Sequence, residues 1–230
     1  MAALLLHSVE EFDEVIFELL ERARPRSVLE IGAETGAFSE RLLARCDGIG
    51  ARFTSIDPHP PEHLMRRAQS STTFDLVVGL SLPYLRKHGC EHDFVLIDGD
   101  HNYFTVSNEL ELVHASWATH ATDGTIVLHD LGLPSARRAH SGLLRAVDAF
   151  LKSHPEYVYR AIDAVFGLGA LARRGTKAAE TAENVLGRYD NARVRRLERN
   201  RLELYPKVIE LEAALAARGA EGAPEKKDLS

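Results

Sequence analysis

The chain has 230 residues, of which 45% are hydrophobic and 27% are charged, a composition typical of a soluble globular protein. Its formal net charge of −6 gives no long-range attraction for nucleic acid, so we expect no nucleic-acid partner. The apolar run at residues 2–6 is too short for a signal peptide or a membrane span. The two cysteines, Cys46 and Cys90, lack metal-type spacing. We therefore expect a cytoplasmic protein without a disulfide framework.

The first 24 residues predict an amphipathic helix that packs on the core. Ser8 and Glu11 have the spacing of a capping box. Apolar residues at helical spacing follow until Pro25 ends the helix.

From residue 25 to residue 174, short apolar strands alternate with helices. Strands are predicted before the turn at residues 32–36, before Asp57, and at residues 76–78, 94–97 and 126–128. Residues 156–174 then predict two antiparallel strands. This alternation indicates βαβ units with right-handed crossovers. The expected fold is α/β, a Rossmann-like, doubly wound, mostly parallel sheet with an antiparallel C-terminal strand pair.

After residue 174 the sequence is polar and helical and has no strand signals. We expect a helical extension at residues 175–218 and a disordered tail at residues 219–230. Apolar residues spaced by three and four resemble a heptad seam, but Pro206 lies inside it and removes a helix hydrogen bond. Two consecutive helices are therefore predicted. They pack either on the core or on a second subunit, as a homodimer contact.

A glycine turn joins the first strand of the sheet to a helix. In VLEIGAETG, Glu30 lies at the strand end and Gly32 and Gly36 flank the turn, where glycine lets the backbone approach a ligand. Glu34 occupies the place of the second glycine of a dinucleotide turn and would repel a pyrophosphate, which favours a ligand with a cationic or zwitterionic end. Asp57 ends the next strand, where an acid can accept both hydroxyls of a ribose.

This arrangement resembles the cofactor site of class I S-adenosylmethionine-dependent methyltransferases, and the resemblance covers about residues 25–174. It implies that the acid and the turn hold the methionine end of S-adenosylmethionine, that Ser39 contacts its carboxylate and that Ser81 lies near the adenine. The cofactor-binding residues that it implies are Glu30, Gly32, Gly36, Ser39, Asp57, Ser81 and Asp98. A Rossmann-like turn for another adenosine cofactor is the alternative.

Carboxylates and imidazoles follow the fourth and fifth predicted strands. Asp98, Asp100 and His101 follow the fourth strand, and His129 and Asp130 follow the fifth. Adjacent strands lie about 4.8 Å apart, so the two clusters can converge. Three or more oxygen or nitrogen ligands from neighbouring loops would suit Mg²⁺ or Mn²⁺.

IDGDHNY followed by GTIVLHD resembles a metal-dependent branch of the methyltransferases, with the macrocin-type sugar O-methyltransferases, the cephalosporin-hydroxylase-like proteins and, more distantly, the catechol type. The resemblance implies that Asp98, His129 and Asp130 coordinate the metal and that Asp100 is the general base. His129 departs from the usual pair of acids, which leaves the ion's identity open. The pKa of a histidine is better matched to proton removal, so Asp100 and His101 are both candidate catalytic residues.

The resemblance, carried by these residues, implies a metal-assisted O-methyltransferase that acts on a hydroxyl of a small molecule. A sugar or glycoside is the leading acceptor on the resemblance alone, followed by a phenolic or polyketide acceptor. Arg137, Arg138 and His140 lie in a loop that could cover the site. An NAD-dependent oxidoreductase is disfavoured by Glu34 and by the lack of a Tyr-x-x-x-Lys pair. A non-catalytic scaffold is disfavoured by the joint presence of the acids at the strand ends.

Overall fold

The computed structural model describes residues 9–131, 142–162, 167–189 and Glu210. The chain divides into two compact units, Met1–Asn191 and Ala192–Ser230, and all the elements given below belong to the first. Its strands are β1 (Ser27–Ile31), β2 (Arg52–Asp57), β3 (Phe74–Val78), β4 (Phe94–Ile97), β5 (Thr125–His129), β6 (Tyr157–Ile162) and β7 (Leu168–Arg173). Its α-helices are α1 (Asp13–Ala23), α2 (Ala37–Ile49), α3 (Glu62–Ser70), α4 (Ser81–His88), α5 (Tyr103–His120), α6 (Gly142–Ser153) and α7 (Lys177–Tyr189).

The seven strands form one sheet in the order β3-β2-β1-β4-β5-β7-β6. The first five strands are parallel, and β7 is antiparallel to both β5 and β6. The predicted Rossmann-like sheet with an antiparallel end pair is confirmed. Because parallel strands end at the same edge, the carboxyl ends of β1, β2, β4 and β5 face one region.

The central strands are buried on both faces. All four residues of β4 are fully buried, as are the middle residues of β5, which explains their unbroken apolar sequences. On α5, Val113 and Trp117 are fully buried, and the Trp117 indole N–H donates to the carbonyl of His92 at 2.8 Å. These two residues belong to the core, as their spacing indicates.

Two helices were not expected from the sequence. The prolines after Asp57 predicted only a break, yet Pro61, with φ −66°, directly precedes α3, because the fixed φ of proline suits a helix start. A turn was predicted near Ser81, and this is wrong, since Ser81 begins α4. Pro83 lies in the first turn of α4, where its missing N–H would have no helical partner.

The end of the first unit is helical, as predicted, and α7 packs on α1 and on the β6–β7 pair. The N-terminal segment enters α1 through a 3₁₀ turn at Val9–Phe12, and its predicted cap Ser8 lies outside the described residues. So do Pro206, the predicted dimer helices, the predicted tail and the loop with Arg137, Arg138 and His140. No helix among the described residues is long and apolar enough to cross a membrane.

Candidate active site

A cleft of 720 Å³ lies beyond the carboxyl ends of the parallel strands. It opens where the strand order reverses, between β1 and β4, which is the usual ligand position in an open α/β sheet. Its volume is within the range of small-molecule sites. The predicted site residues that line it are Gly32, Asp57, Ser81, Asp98, Asp100, His101 and Asp130.

The glycine turn forms one side of the cleft. Gly32 has φ +95°, and a Cβ at this position would lie 2.4 Å from the carbonyl oxygen of Asp98. Gly36 has φ +75°, and its Cβ would lie 2.8 Å from atoms of Pro61 and His63. Both positions require glycine, because a side chain would have an unfavourable φ and would also clash. The turn therefore packs closely against the backbone just after β4.

Asp57 connects the turn to the end of β2. Its Oδ2 accepts the N–H groups of Ala33 and Glu34 at 2.8 and 3.2 Å, and its Oδ1 accepts the N–H of His59 at 2.7 Å. Three backbone donors hold the carboxylate in place, and Oδ1, which accepts only one of them, keeps lone-pair capacity for a ligand hydroxyl. The contact of Asp57 with a ribose stays a prediction.

Glu30 and Ser39 lie beneath the turn and not on the cleft wall. They are 1% and 0% exposed, and Glu30 Oε2 accepts hydrogen bonds from the hydroxyls of Ser39 and Ser55, both at 2.6 Å. Desolvation raises the pKa of Glu30 to about 7, against the opposing effect of these bonds. The structure therefore places both residues as supports of the turn. Direct contact of either with a cofactor stays a prediction.

Sequence reasoning missed Glu109, which lies behind Ser81. The Ser81 hydroxyl donates to Glu109 Oε1 at 2.5 Å, and Glu109 is fully buried, so desolvation raises its pKa to about 7. The sequence could have identified Glu109, because it lies on the same apolar helix face as Val106, Leu110 and Val113. An acid on such a face needs a hydrogen-bond partner. Glu109 fixes the orientation of the Ser81 hydroxyl at the cleft wall.

His101 lies between two carboxylates on the other side of the cleft. Its Nε2 is 3.7 Å from Asp98 Oδ1, and its Nδ1 is 3.6 Å from Asp130 Oδ2. Burial alone would lower the pKa of His101, but the carboxylates of Asp98, Asp130 and Asp100 outweigh it and raise that pKa. The structure thus brings together side chains from the loops after β4 and β5, as the sequence predicts.

His129 supports this arrangement from below. It is 1% exposed, and its Nδ1 is 2.8 Å from Asp98 Oδ1. Although burial opposes it, hydrogen bonding to His101 and His129 lowers the pKa of Asp98. Asp100 points instead to the start of α5, where it accepts hydrogen bonds from the Asn102 N–H at 3.1 Å and the Thr105 hydroxyl at 2.9 Å.

The three predicted metal ligands do not converge in this structure. Among the described residues, the only group of three side chains with ligand atoms within 4.8 Å of one another is elsewhere, at His114, His154 and Glu156. At the cleft, the nearest nitrogen of His129 is engaged by Asp98, and His101 lies between Asp98 and Asp130. The metal site at Asp98, His129 and Asp130 therefore stays a prediction, and we derive no step through a metal.

Comparison with known proteins finds a match to part of the chain. A family model described as "Methyltransferase domain" matches residues 29–131, a range that begins within β1 and ends two residues after β5. No curated protein matches the sequence significantly.

Several solved structures share the fold at low identity. The methyltransferase PaMTH1 of Podospora anserina, bound to SAH, has 17% identity and a TM-score of 0.55 over 73% of this chain and 79% of that chain. An O-methyltransferase from Bacillus cereus, also with SAH, has 20% identity and a TM-score of 0.52 over 73% and 83%. The O-methyltransferase TomG of Streptomyces achromogenes, with SAM, has 19% identity and a TM-score of 0.51 over 74% and 82%. Residues 29–131 are therefore similar to a methyltransferase domain, and the chain shares its fold with solved methyltransferases.

Proposed function

We propose that the protein transfers the methyl group of S-adenosylmethionine to a hydroxyl oxygen of a small molecule, with His101 as the general base. The observation that carries the proposal is the position of His101 on the cleft wall, between Asp98 and Asp130. A neutral imidazole there can accept the proton of the acceptor hydroxyl, and the two carboxylates stabilise the imidazolium that forms.

The chemistry needs a weak nucleophile to be held in line with the sulfonium methyl group. The acceptor oxygen bonds to the methyl carbon as the carbon–sulfur bond breaks, and its proton passes to His101. S-adenosylhomocysteine then leaves. Most of the rate enhancement of such a reaction comes from positioning. Asp57, on the glycine-turn side of the cleft, would position the cofactor.

Asp100 is the second candidate base. Its carboxylate lines the cleft, but bonds from Asn102 and Thr105 hold it at the start of α5. We propose His101 as the base and assign Asp100 to orientation of an acceptor hydroxyl.

The acceptor that we propose is a sugar or glycoside, with a phenolic compound as the second candidate. Support comes from the sequence resemblance and from the polar rim of Asp100, His101 and Asp130 on the cleft. Beside this rim, Tyr103 and Phe104 at the start of α5 are 42% and 64% exposed. Such rings can stack on the C–H face of a sugar or on an aromatic ring.

A calorimetric titration with S-adenosylhomocysteine, followed by an acceptor screen with labelled S-adenosylmethionine, tests the proposal. Each step is run in chelator and again with Mg²⁺ or Mn²⁺. We expect saturable cofactor binding in both conditions and methyl transfer to at least one hydroxyl acceptor. Binding of NAD instead of S-adenosylhomocysteine, or transfer only to amine acceptors, would overturn it. Transfer that requires the divalent ion would restore the metal site predicted at Asp98, His129 and Asp130.

A further inference from the structure

A second cluster of histidine and glutamate side chains lies far from the cleft. His114 and Glu111 are one helical turn apart on α5, and His154 and Glu156 lie between α6 and β6. β6 begins at Tyr157, and this first residue lies at the same end of the sheet as the amino end of β5. The cluster is therefore at the sheet edge opposite the cleft, and the proposed methyl transfer does not use it.

The geometry of the cluster matches a set of metal ligands. One ligand atom each from His114, His154 and Glu156 lies within 4.8 Å of the other two. The two imidazole rings are 4.0 Å apart between centroids, and His154 Nδ1 is 3.7 Å from Glu156 Oε1. Small side-chain rotations would bring these atoms to the separations of ligands around one ion. Two imidazoles and a carboxylate form a known zinc-ligand set.

Each histidine also has an outer partner on its other nitrogen. His154 Nε2 is 3.1 Å from both carboxylate oxygens of Glu111, which leaves Nδ1 directed to Glu156. His114 Nδ1 is 3.2 Å from the Tyr157 hydroxyl, which leaves Nε2. Metal-bound histidines almost always donate their second N–H to such a carboxylate or oxygen, because this bond fixes the tautomer and the ring orientation.

Solvent can reach the cluster from one side. The side chain of His154 is 16% exposed, whereas that of Glu156 is 48% exposed. A cation can therefore enter beside Glu156, and water can complete its coordination. A simple ion pair between His154 and Glu111 would not require His114 or Glu156 to be nearby.

We propose that His114, His154 and Glu156 bind one Zn²⁺ ion, with Glu111 and Tyr157 as hydrogen-bond partners of the two imidazoles. The ion would join α5 to the connection between α6 and β6. Because it would bind only the folded chain, it would stabilise the native state by mass action.

The experiment uses the 230-residue chain without a polyhistidine tag, stripped with chelator and then titrated with Co²⁺ at neutral pH. We expect one Co²⁺ per chain with the visible absorption of a low-coordinate site, displaced by Zn²⁺. At a Zn²⁺ concentration about 100 times Kd, Tm should rise by roughly 5–10 °C. The absence of a saturable site with one ion per chain would overturn the proposal.

Variants assign the site to these residues. Glu156→Gln keeps an exposed side chain of similar shape and should weaken metal binding by at least about tenfold, and His154→Ala should abolish it. Glu111→Gln should weaken it by about 10–100-fold through the loss of the outer bond. His120→Ala, on the same helix, is the matched control and should leave the affinity unchanged.

Asp98→Ala separates this site from the cleft and should also leave the affinity unchanged. Loss of binding in Asp98→Ala, with binding retained in Glu156→Gln and His154→Ala, would place the ion in the cleft and overturn the proposal. Tm in chelator shows whether each variant folds. Since none of these readouts uses methyl transfer, failure of this site and failure of the proposed function are distinguishable.

Discussion

The two sides of the cleft hold their carboxylates by different means. On the glycine-turn side, Asp57 is bound by three backbone N–H groups. On the histidine side, Asp98 is contacted by the imidazoles of His101 and His129. Backbone donors do not titrate near neutral pH, whereas the imidazole of His101 has a pKa raised above its ordinary value by the neighbouring carboxylates. Under the proposed function, we expect the glycine-turn side to bind the cofactor and the histidine side to move the proton.

The largest expected effect is a loss of activity on substitution of His101, on the histidine side of the cleft. His101→Ala should lower kcat by about 10²–10⁴-fold, the usual contribution of a general base, because no equivalent proton acceptor would remain between Asp98 and Asp130. S-adenosylhomocysteine affinity should stay the same. Steady-state methyl transfer and calorimetry measure the two quantities on the same preparations.

The pH profile of the unsubstituted protein sharpens this prediction. The pKa of His101 is raised above its ordinary 6.5, so kcat/KM should fall as pH falls through that raised value, while cofactor affinity stays nearly flat. The same shift stabilises the fold below the unfolded pKa, and that stabilisation is lost as pH rises through the folded pKa. A His101→Ala variant with the same acid limb would contradict the assignment.

The glycine turn should not tolerate a side chain at Gly32. Gly32→Ala places a Cβ 2.4 Å from a backbone oxygen at φ +95°, and we expect a loss of about 2–4 kcal/mol in the free energy of unfolding. Gly48→Ala is the matched control. Gly48 lies within α2 with open space around its Cβ position, so the change should stabilise by up to about 1 kcal/mol. Urea unfolding distinguishes the two, and equal effects would refute the close approach.

Asp57 should affect binding rather than the chemical step. In Asp57→Asn the amide keeps one oxygen acceptor but loses the charge, and hydrogen bonds to charged groups contribute about 1.5–3 kcal/mol. We expect the Kd of S-adenosylhomocysteine to rise by roughly 10–100-fold, with kcat at saturating cofactor changed much less. A large fall in kcat with unchanged Kd would reverse the roles assigned to the two sides.

The smallest effect is expected beneath the turn, at Glu30. Because desolvation raises its pKa to about 7, the folded state binds more protons than the unfolded state between the unfolded pKa and this value. Stability should therefore fall as pH rises through that window, by at most about 1.4 kcal/mol per pH unit for one carboxyl. Glu30→Gln should flatten this slope, and Ser70→Ala, at an exposed serine on α3, is a neutral control. Unfolding free energies at several pH values measure it.

Much of the fold follows from local sequence. The apolar runs that became β4 and β5 could be read as buried parallel strands, and the glycine turn could be placed before α2, because each depends on residues close together in the chain. The helices α3 and α4 could not be read in the same way. Prolines in both segments argued against helices. The burial of Leu64 and Leu85 in the core favours the helices α3 and α4 in the folded protein.

The sequence by itself determined which polar residues end the strands, and the parallel topology then required Asp57, Asp98, His101 and Asp130 to share one edge. Tertiary structure decided what each of them contacts. It placed Glu30 and Ser39 under the turn and paired Glu109 with Ser81. It also joined α5 to the α6–β6 connection in a second cluster. The physical reason is the separation along the chain of the residues that interact. Strand and turn patterns arise from neighbours in sequence, whereas burial and hydrogen-bond partners depend on residues tens of positions apart.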